Sequence, residues 1–271
     1  MQITKDTRCC ISIAERPGNF GSMLFNNCFK ALSMDYIYKP FRLLAGDLPI
    51  AIQAIKALGI IGCGVSMPHK IEVIKYLDEV DEVAKKIGAV NTIVNQGGIL
   101  KGYNTDYSGA FASLSQIFDV RGKKAFILGC GGAARAIVTA LKSAGIDEII
   151  ITSRDEKRCL IVAKEFELQY NPYAQKERVR ANILINATPV GMFKEDESII
   201  GKSSLVNFEG VMDVVISGDE TDLIKQARSL GLKFIPGYKM ATYQALAQFK
   251  LYTGVDVPQE IIENVINLYF K

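Results

Sequence analysis

The apolar positions of this chain fall into short β-rich runs separated by longer stretches of helical period. Residues 9–13, 36–41 and 60–65 form runs of the first kind. The intervening 22–33 and 47–58 repeat their apolar residues at helical spacing. Strand and helix in alternation predict a parallel sheet with right-handed crossovers. The second half repeats the theme, with strands expected at 124–128, 148–152, 183–186, 211–216 and 233–236. A helix is expected over 133–144, where Ile137, Val138, Leu141 and Ala144 share a face. The pattern is helical again from Tyr238 to Tyr252. Asp256-Val257-Pro258 then opens a last helix running to the chain end, with proline near its first turn. The fold class expected is α/β, in two domains, since 271 residues exceed one domain of the usual ~100–200.

Charge narrows the partners. With 32 basic against 29 acidic residues, the net +3 is too small an excess to point to nucleic acid or a membrane surface. No apolar run approaches the ~20 residues of a membrane span, and the first residues, Met1-Gln2-Ile3-Thr4-Lys5-Asp6, form no signal core. The expectation is a cytoplasmic monomer or homodimer acting on a small molecule. Six cysteines occur without a CxxC pair, and His69 is the single histidine, so no metal site is expected and the thiols read as reduced and buried. His69 itself reads as surface at a helix start.

The strongest local signal is Leu128-Gly129-Cys130-Gly131-Gly132-Ala133, which closes a strand and opens a helix. Gly129 suits a tight turn, and Gly131 lets backbone approach a pyrophosphate held at the helix N-terminus, with Gly132 and Ala133 where the helix packs. At the end of the next strand stand Ser153, Arg154, Asp155 and Arg158. Arginine there suits the 2′-phosphate of NADP, with Ser153 donating a hydroxyl and Arg158 adding charge. Asp155 points the other way, toward NAD, unless it caps the following helix. NADP is the cofactor expected, with NAD left open.

Three stretches precede that turn: Gly64-Val65-Ser66-Met67-Pro68-His69-Lys70, Gly88-Ala89-Val90-Asn91-Thr92 and Gly102-Tyr103-Asn104-Thr105-Asp106. Two follow it: Asn186-Ala187-Thr188-Pro189-Val190-Gly191-Met192, and Gly237-Tyr238-Lys239-Met240 with Gln244. In this order they resemble the shikimate dehydrogenase family over nearly the whole chain. The resemblance implies a substrate domain (1–103 and 238–271), a Rossmann-type doubly wound dinucleotide domain (104–237), and a cleft between them. It also implies a place in aromatic amino acid biosynthesis. It makes Lys70 the acid/base and Asp106 its partner, with Asn91 and Gln244 on the substrate. Asn186, Ala187, Thr188, Val214, Gly237 and Met240 fall to the cofactor. The chemistry agrees: oxidising a secondary alcohol moves a hydride to nicotinamide and a proton to a base, a role lysine takes where burial or charge brings it toward neutrality.

The first family motif is altered. Asn19 and Gly21 stand where two serines bind the substrate carboxylate, Ser22 is one place out of register, and Phe25 replaces a histidine. Gly64 and Ser66 replace Asn and Thr, and Ile216 and Ala241 replace Tyr and Leu. Each lost charge-assisted hydrogen bond is worth about 1.5–3 kcal/mol. A poorer shikimate KM or another substrate is expected, with Asn19, Ser22, Ser66 or Arg16 as replacement contacts. Two rival readings stand beside this one: an NAD-preferring quinate/shikimate dehydrogenase, and a non-catalytic dinucleotide-binding regulator.

Overall fold

The computed structural model describes residues 2–193, 198–217 and 219–269. The chain divides into two compact units, Met1–Thr105 with Ala245–Lys271, and Asp106–Gln244.

The first unit is built from β1 (Arg8–Ala14), α1 (Phe20–Ala31), β2 (Tyr36–Arg42), α2 (Leu48–Ala57), β3 (Gly62–Val65), β4 (Glu79–Val80), α3 (Glu82–Ile87), β5 (Thr92–Gln96) and β6 (Ile99–Tyr103). Its sheet runs β2-β1-β3-β5-β6-β4. The three predicted strands are parallel as expected. The sheet as a whole is mixed, because β5 lies antiparallel to both β3 and β6. The β5–β6 pairing has a local cause: Gly97 and Gly98 both have positive φ (63° and 95°) and close a two-residue hairpin, a conformation glycine adopts at no steric cost. One face of the sheet buries Ile11, Ile13, Cys63, Val65 and Ile93 under Leu48, Ile52 and Ile55 of α2.

The second unit comprises α4 (Thr105–Ile117), β7 (Lys124–Leu128), α5 (Gly132–Ser143), β8 (Glu148–Thr152), α6 (Glu156–Glu165), β9 (Gln169–Tyr170), β10 (Ile183–Asn186), α7 (Lys202–Leu205), β11 (Gly210–Asp213), α8 (Asp222–Ser229), β12 (Lys233–Ile235) and the first half of α9 (Gly237–Thr253). Every strand pair is parallel, in the order β12-β11-β10-β7-β8-β9. Counted from β7, that is the 3-2-1-4-5-6 order of a dinucleotide-binding sheet. Within β7, Ala125 and Ile127 enter one core while Phe126 and Leu128 enter the other, so both faces are covered.

The expected return to the first domain at residue 238 falls inside α9. The first half of α9 packs within the second unit, where a Cβ on Gly237 would sit 2.1 Å from the Val215 carbonyl oxygen. Its second half packs within the first, with Phe249 against Phe25 and Phe29. The last helix, α10 (Gln259–Tyr269), follows Pro258, and the final two residues of its expected span lie outside the described residues.

Candidate active site

The segment carrying Lys70 leaves the C-terminal end of β3 and is pinned by backbone hydrogen bonds on both sides. Ser66 N–H donates to Ile13 O (2.9 Å), Val65 N–H to Asn91 O (2.7 Å), and Val90 N–H to Lys70 O (2.7 Å). Lys70 is half-buried and Ser66 exposed. His69 departs from expectation. It is 1% exposed, and its Nε2 lies 3.1 Å from Leu43 O. This burial and contact make His69 a structural side chain rather than a surface one.

Asn91 is the hub of this unit. It is 2% exposed. Its Oδ1 accepts from Thr92 Oγ1 (2.7 Å), Thr105 N–H (2.7 Å) and Thr105 Oγ1 (3.1 Å). That leaves the amide NH2 as the group Asn91 can offer. Gln248 Nε2 donates to Asn91 O (3.0 Å) and Thr92 Oγ1 (2.9 Å), and Asn104 Nδ2 donates to Ala89 O (2.8 Å). The network therefore ties three motifs to one framework and fixes Thr105, the residue directly before Asp106. In the altered motif, Asn19 precedes α1 and is exposed, while the half-buried Ser22 donates its hydroxyl to Asn19 O (3.0 Å).

In the second unit, Asp106 stands in the first turn of α4, 6% exposed. Gly109, one turn on, lets α9 cross closely. A Cβ there would lie 2.6 Å from Met240 O and 2.9 Å from Gln244 Cβ. The structure so brings Met240 and Gln244 to the turn of α4 that follows Asp106.

The glycine turn lies at the switch point between β7 and β10. Gly129 has φ +113°, donates to Thr152 O (2.8 Å), and leaves only 2.9 Å between a would-be Cβ and Ala187 O. Gly131 is open, with nothing within 4 Å of a Cβ position. It precedes α5 without a side-chain cap, and no acidic residue sits in the first turn of α5. At the end of β8, Asp155 accepts from Arg158 N–H (3.1 Å) as N-cap of α6. Its carboxylate thus serves its own helix. Ser153 is half-buried, and Arg154 and Arg158 are exposed. Cys130 is held below the ordinary thiol range, chiefly by a hydrogen bond from Cys159, with Ser153 and the Arg158 guanidinium assisting. Cys159 is raised correspondingly.

Asn186 is fully buried and braces the loop that follows β10. Its Oδ1 accepts from Thr188 N–H (3.0 Å) and Oγ1 (2.7 Å), and its Nδ2 donates to Val190 O and Asp213 Oδ1, both at 3.0 Å. Asp213 also accepts from Thr221 Oγ1 (2.6 Å) and Val215 N–H (3.0 Å). Burial pushes this carboxyl up to about 6, against the pull of those donors. Ala187, Thr188 and Val214 are half-buried at the strand ends the brace holds.

The model of the shikimate dehydrogenase substrate binding domain matches residues 21–93, and that of shikimate / quinate 5-dehydrogenase matches residues 112–207. The shikimate dehydrogenase (NADP(+)) of Methanosphaera stadtmanae is 36% identical over 256 residues, covering 90% of either chain. The chain belongs to the shikimate dehydrogenase family. Another member, the shikimate dehydrogenase-like protein of Haemophilus influenzae, is 36% identical over 263 residues, 96% of either chain. A crystal structure of a shikimate dehydrogenase in complex with NADP+ is 35% identical, with TM-score 0.90 over 100% of this chain and 98% of that one.

Sequence reading missed Gln248, Thr92, Gly109, Asp213 and Thr221 in this shikimate dehydrogenase fold. Gly109 carried a usable signal, as a lone glycine inside a helical pattern. Gln248 carried none, since its partners lie 156 and 157 residues away.

Proposed function

We propose that the chain is an NADP-dependent dehydrogenase of the shikimate type, passing a hydride between NADP and a secondary alcohol of shikimate or a related cyclic compound. The observation that carries this reading is the framework joining the Lys70 segment, Asn91 and Thr105, which ties the proton-exchanging segment and the residue directly before Asp106 to one buried set of hydrogen bonds. A dinucleotide fits the second unit. Gly131 and the uncapped start of α5 offer N–H groups to a pyrophosphate. Ser153, Arg154 and Arg158 would take the 2′-phosphate. Asp155, engaged on its own helix, is no ribose ligand. Thr188, Ala187, Val214, Gly237 and Met240 would line the nicotinamide end.

NADP when bound supplies the hydride acceptor. Lys70 takes the hydroxyl proton at Nζ and returns it in the reverse direction, with Asp106 orienting the exchange. The Asn91 amide NH2 and Gln244 position the ring. On the side of α1, Asn19 and Ser66 remain as contacts, because the Ser22 hydroxyl already serves the helix start.

Purified protein is assayed for reduced nicotinamide with shikimate and quinate, each with NADP and with NAD. Turnover with NADP is expected to exceed that with NAD. Arg154→Ala should weaken NADP affinity about ten-fold, the worth of a charge-assisted contact at an exposed site, while leaving NAD unchanged. Cofactor binding with no turnover across the panel would turn the reading toward a regulatory dinucleotide binder.

A further inference from the structure

Three of the departures from the family pattern meet at one side chain. Tyr38 of β2 reaches across β1 toward the end of β3. A Cβ on Gly64 would lie 3.0 Å from the Tyr38 hydroxyl, and a Cβ on Gly21 would lie 3.4 Å from it. Phe25 stacks on the Tyr38 ring, with centroids 4.5 Å apart and planes at 25°. The Asn26 side chain holds the backbone of Tyr38 on both sides, donating to its carbonyl and accepting from its N–H, each at 2.9 Å. Ser12, paired with Gly64 in the sheet, hydrogen-bonds the phenol. Gly21 lies in the first turn of α1 beside Asn19 and Ser22. Gly64 lies two residues before Ser66, on the strand that leads to Lys70. The phenol oxygen is therefore seated between the two segments assigned to the substrate.

The two glycines are not vacant positions. One phenol, ring-stacked, backbone-clamped and 6% exposed, would crowd a side chain at Gly64 and touch one at Gly21 at ordinary contact distance. Burial pushes the phenol's pKa up, so it stays neutral. A carboxylate lowered onto this floor would lose its water in exchange for one uncharged hydroxyl. An uncharged polar group loses far less. We infer that Tyr38 is the residue that sets substrate choice, and that the group it reads is an uncharged hydrogen-bonding substituent at the ring position where shikimate carries its carboxylate.

The inference rests on the dehydrogenase reading, and the test separates the two. Wild type, Tyr38→Phe, Gly64→Asn and the double variant Gly64→Asn/Tyr38→Ala are assayed with NADP on shikimate and on shikimate methyl ester, the neutral probe. The wild type is expected to favour the ester in kcat/KM. Tyr38→Phe should lower kcat/KM for the ester about ten-fold, through KM, the worth of one neutral hydrogen bond. Gly64→Asn alone should weaken both substrates, because its Cβ crowds the phenol and, at 3.5 Å, Gln248 Nε2. Removing the ring in the double variant should restore turnover and move the preference toward shikimate by at least about ten-fold. A ratio of ester to shikimate that stays at the wild-type value in every variant would overturn the role of Tyr38 while leaving the dehydrogenase intact. Absence of turnover in the wild type on both probes would overturn the dehydrogenase reading and this inference with it.

Discussion

Each unit holds its functional loops with a buried polar brace, and the two braces are made of different chemistry. In the first, Asn91, Thr92, Thr105 and Gln248 join the Lys70 segment to the start of α4 through amides and hydroxyls. In the second, Asn186 holds the β10 loop, but the centre is a carboxylate, Asp213, with Thr221 and Val215 donating to it. Amides and hydroxyls keep one charge state at every pH where the protein folds. A buried carboxyl does not. The framework beside a residue that exchanges a proton is thus held by groups that exchange none, while the framework behind the dinucleotide turn tolerates one that does.

The largest effect expected breaks the first side of this comparison at its chemistry. Lys70→Ala should cut kcat by about 10²–10⁴, the usual worth of general acid–base catalysis, while NADP affinity measured by fluorescence titration stays at the wild-type value. Turnover that survives the substitution removes Lys70 from the mechanism.

The folded carboxyl of Asp213 titrates at about 6 against an ordinary 3.8. A raised folded value means the native state binds the proton more tightly. Its contribution is complete below about 3.8 and is lost as pH rises through about 6. Urea midpoints of wild type and Asp213→Asn between pH 4 and 7 should show wild type losing on the order of 2 kcal/mol relative to the variant over that window. Parallel curves would refute the assignment. An Asn91→Ala variant, whose brace holds no ionisable group, should lose stability by an amount that does not change with pH.

Gly129→Ala places a Cβ at φ +113° and 2.9 Å from Ala187 O. It should cost about 1–3 kcal/mol of unfolding free energy and weaken NADP, with Lys70 chemistry measured at saturating cofactor little altered. The smallest effect belongs to Asp155→Ala. Loss of the α6 cap should cost about 1 kcal/mol in chemical denaturation without lowering NADP affinity. A marked gain in NAD discrimination would instead make Asp155 a cofactor contact.

What the sequence determined by itself was whatever a few neighbouring residues decide. The periodicities placed the strands at 9–13, 36–41, 124–128 and 148–152 nearly to the residue, and Gly129 at positive φ and Asp155 as a cap follow from backbone torsion and a donor three residues away. The Gly97-Gly98 hairpin is equally local, but strand-helix alternation pointed to a parallel sheet and passed over it. Only the tertiary structure could enclose His69 beneath Leu43, bring Gln248 to Asn91, cross α9 over Gly109, and seat the Tyr38 phenol between Gly21 and Gly64. Those contacts depend on which strands pair and which helices cover them. A glycine in sequence records only that a side chain is missing; the fold decides which other side chain takes its volume.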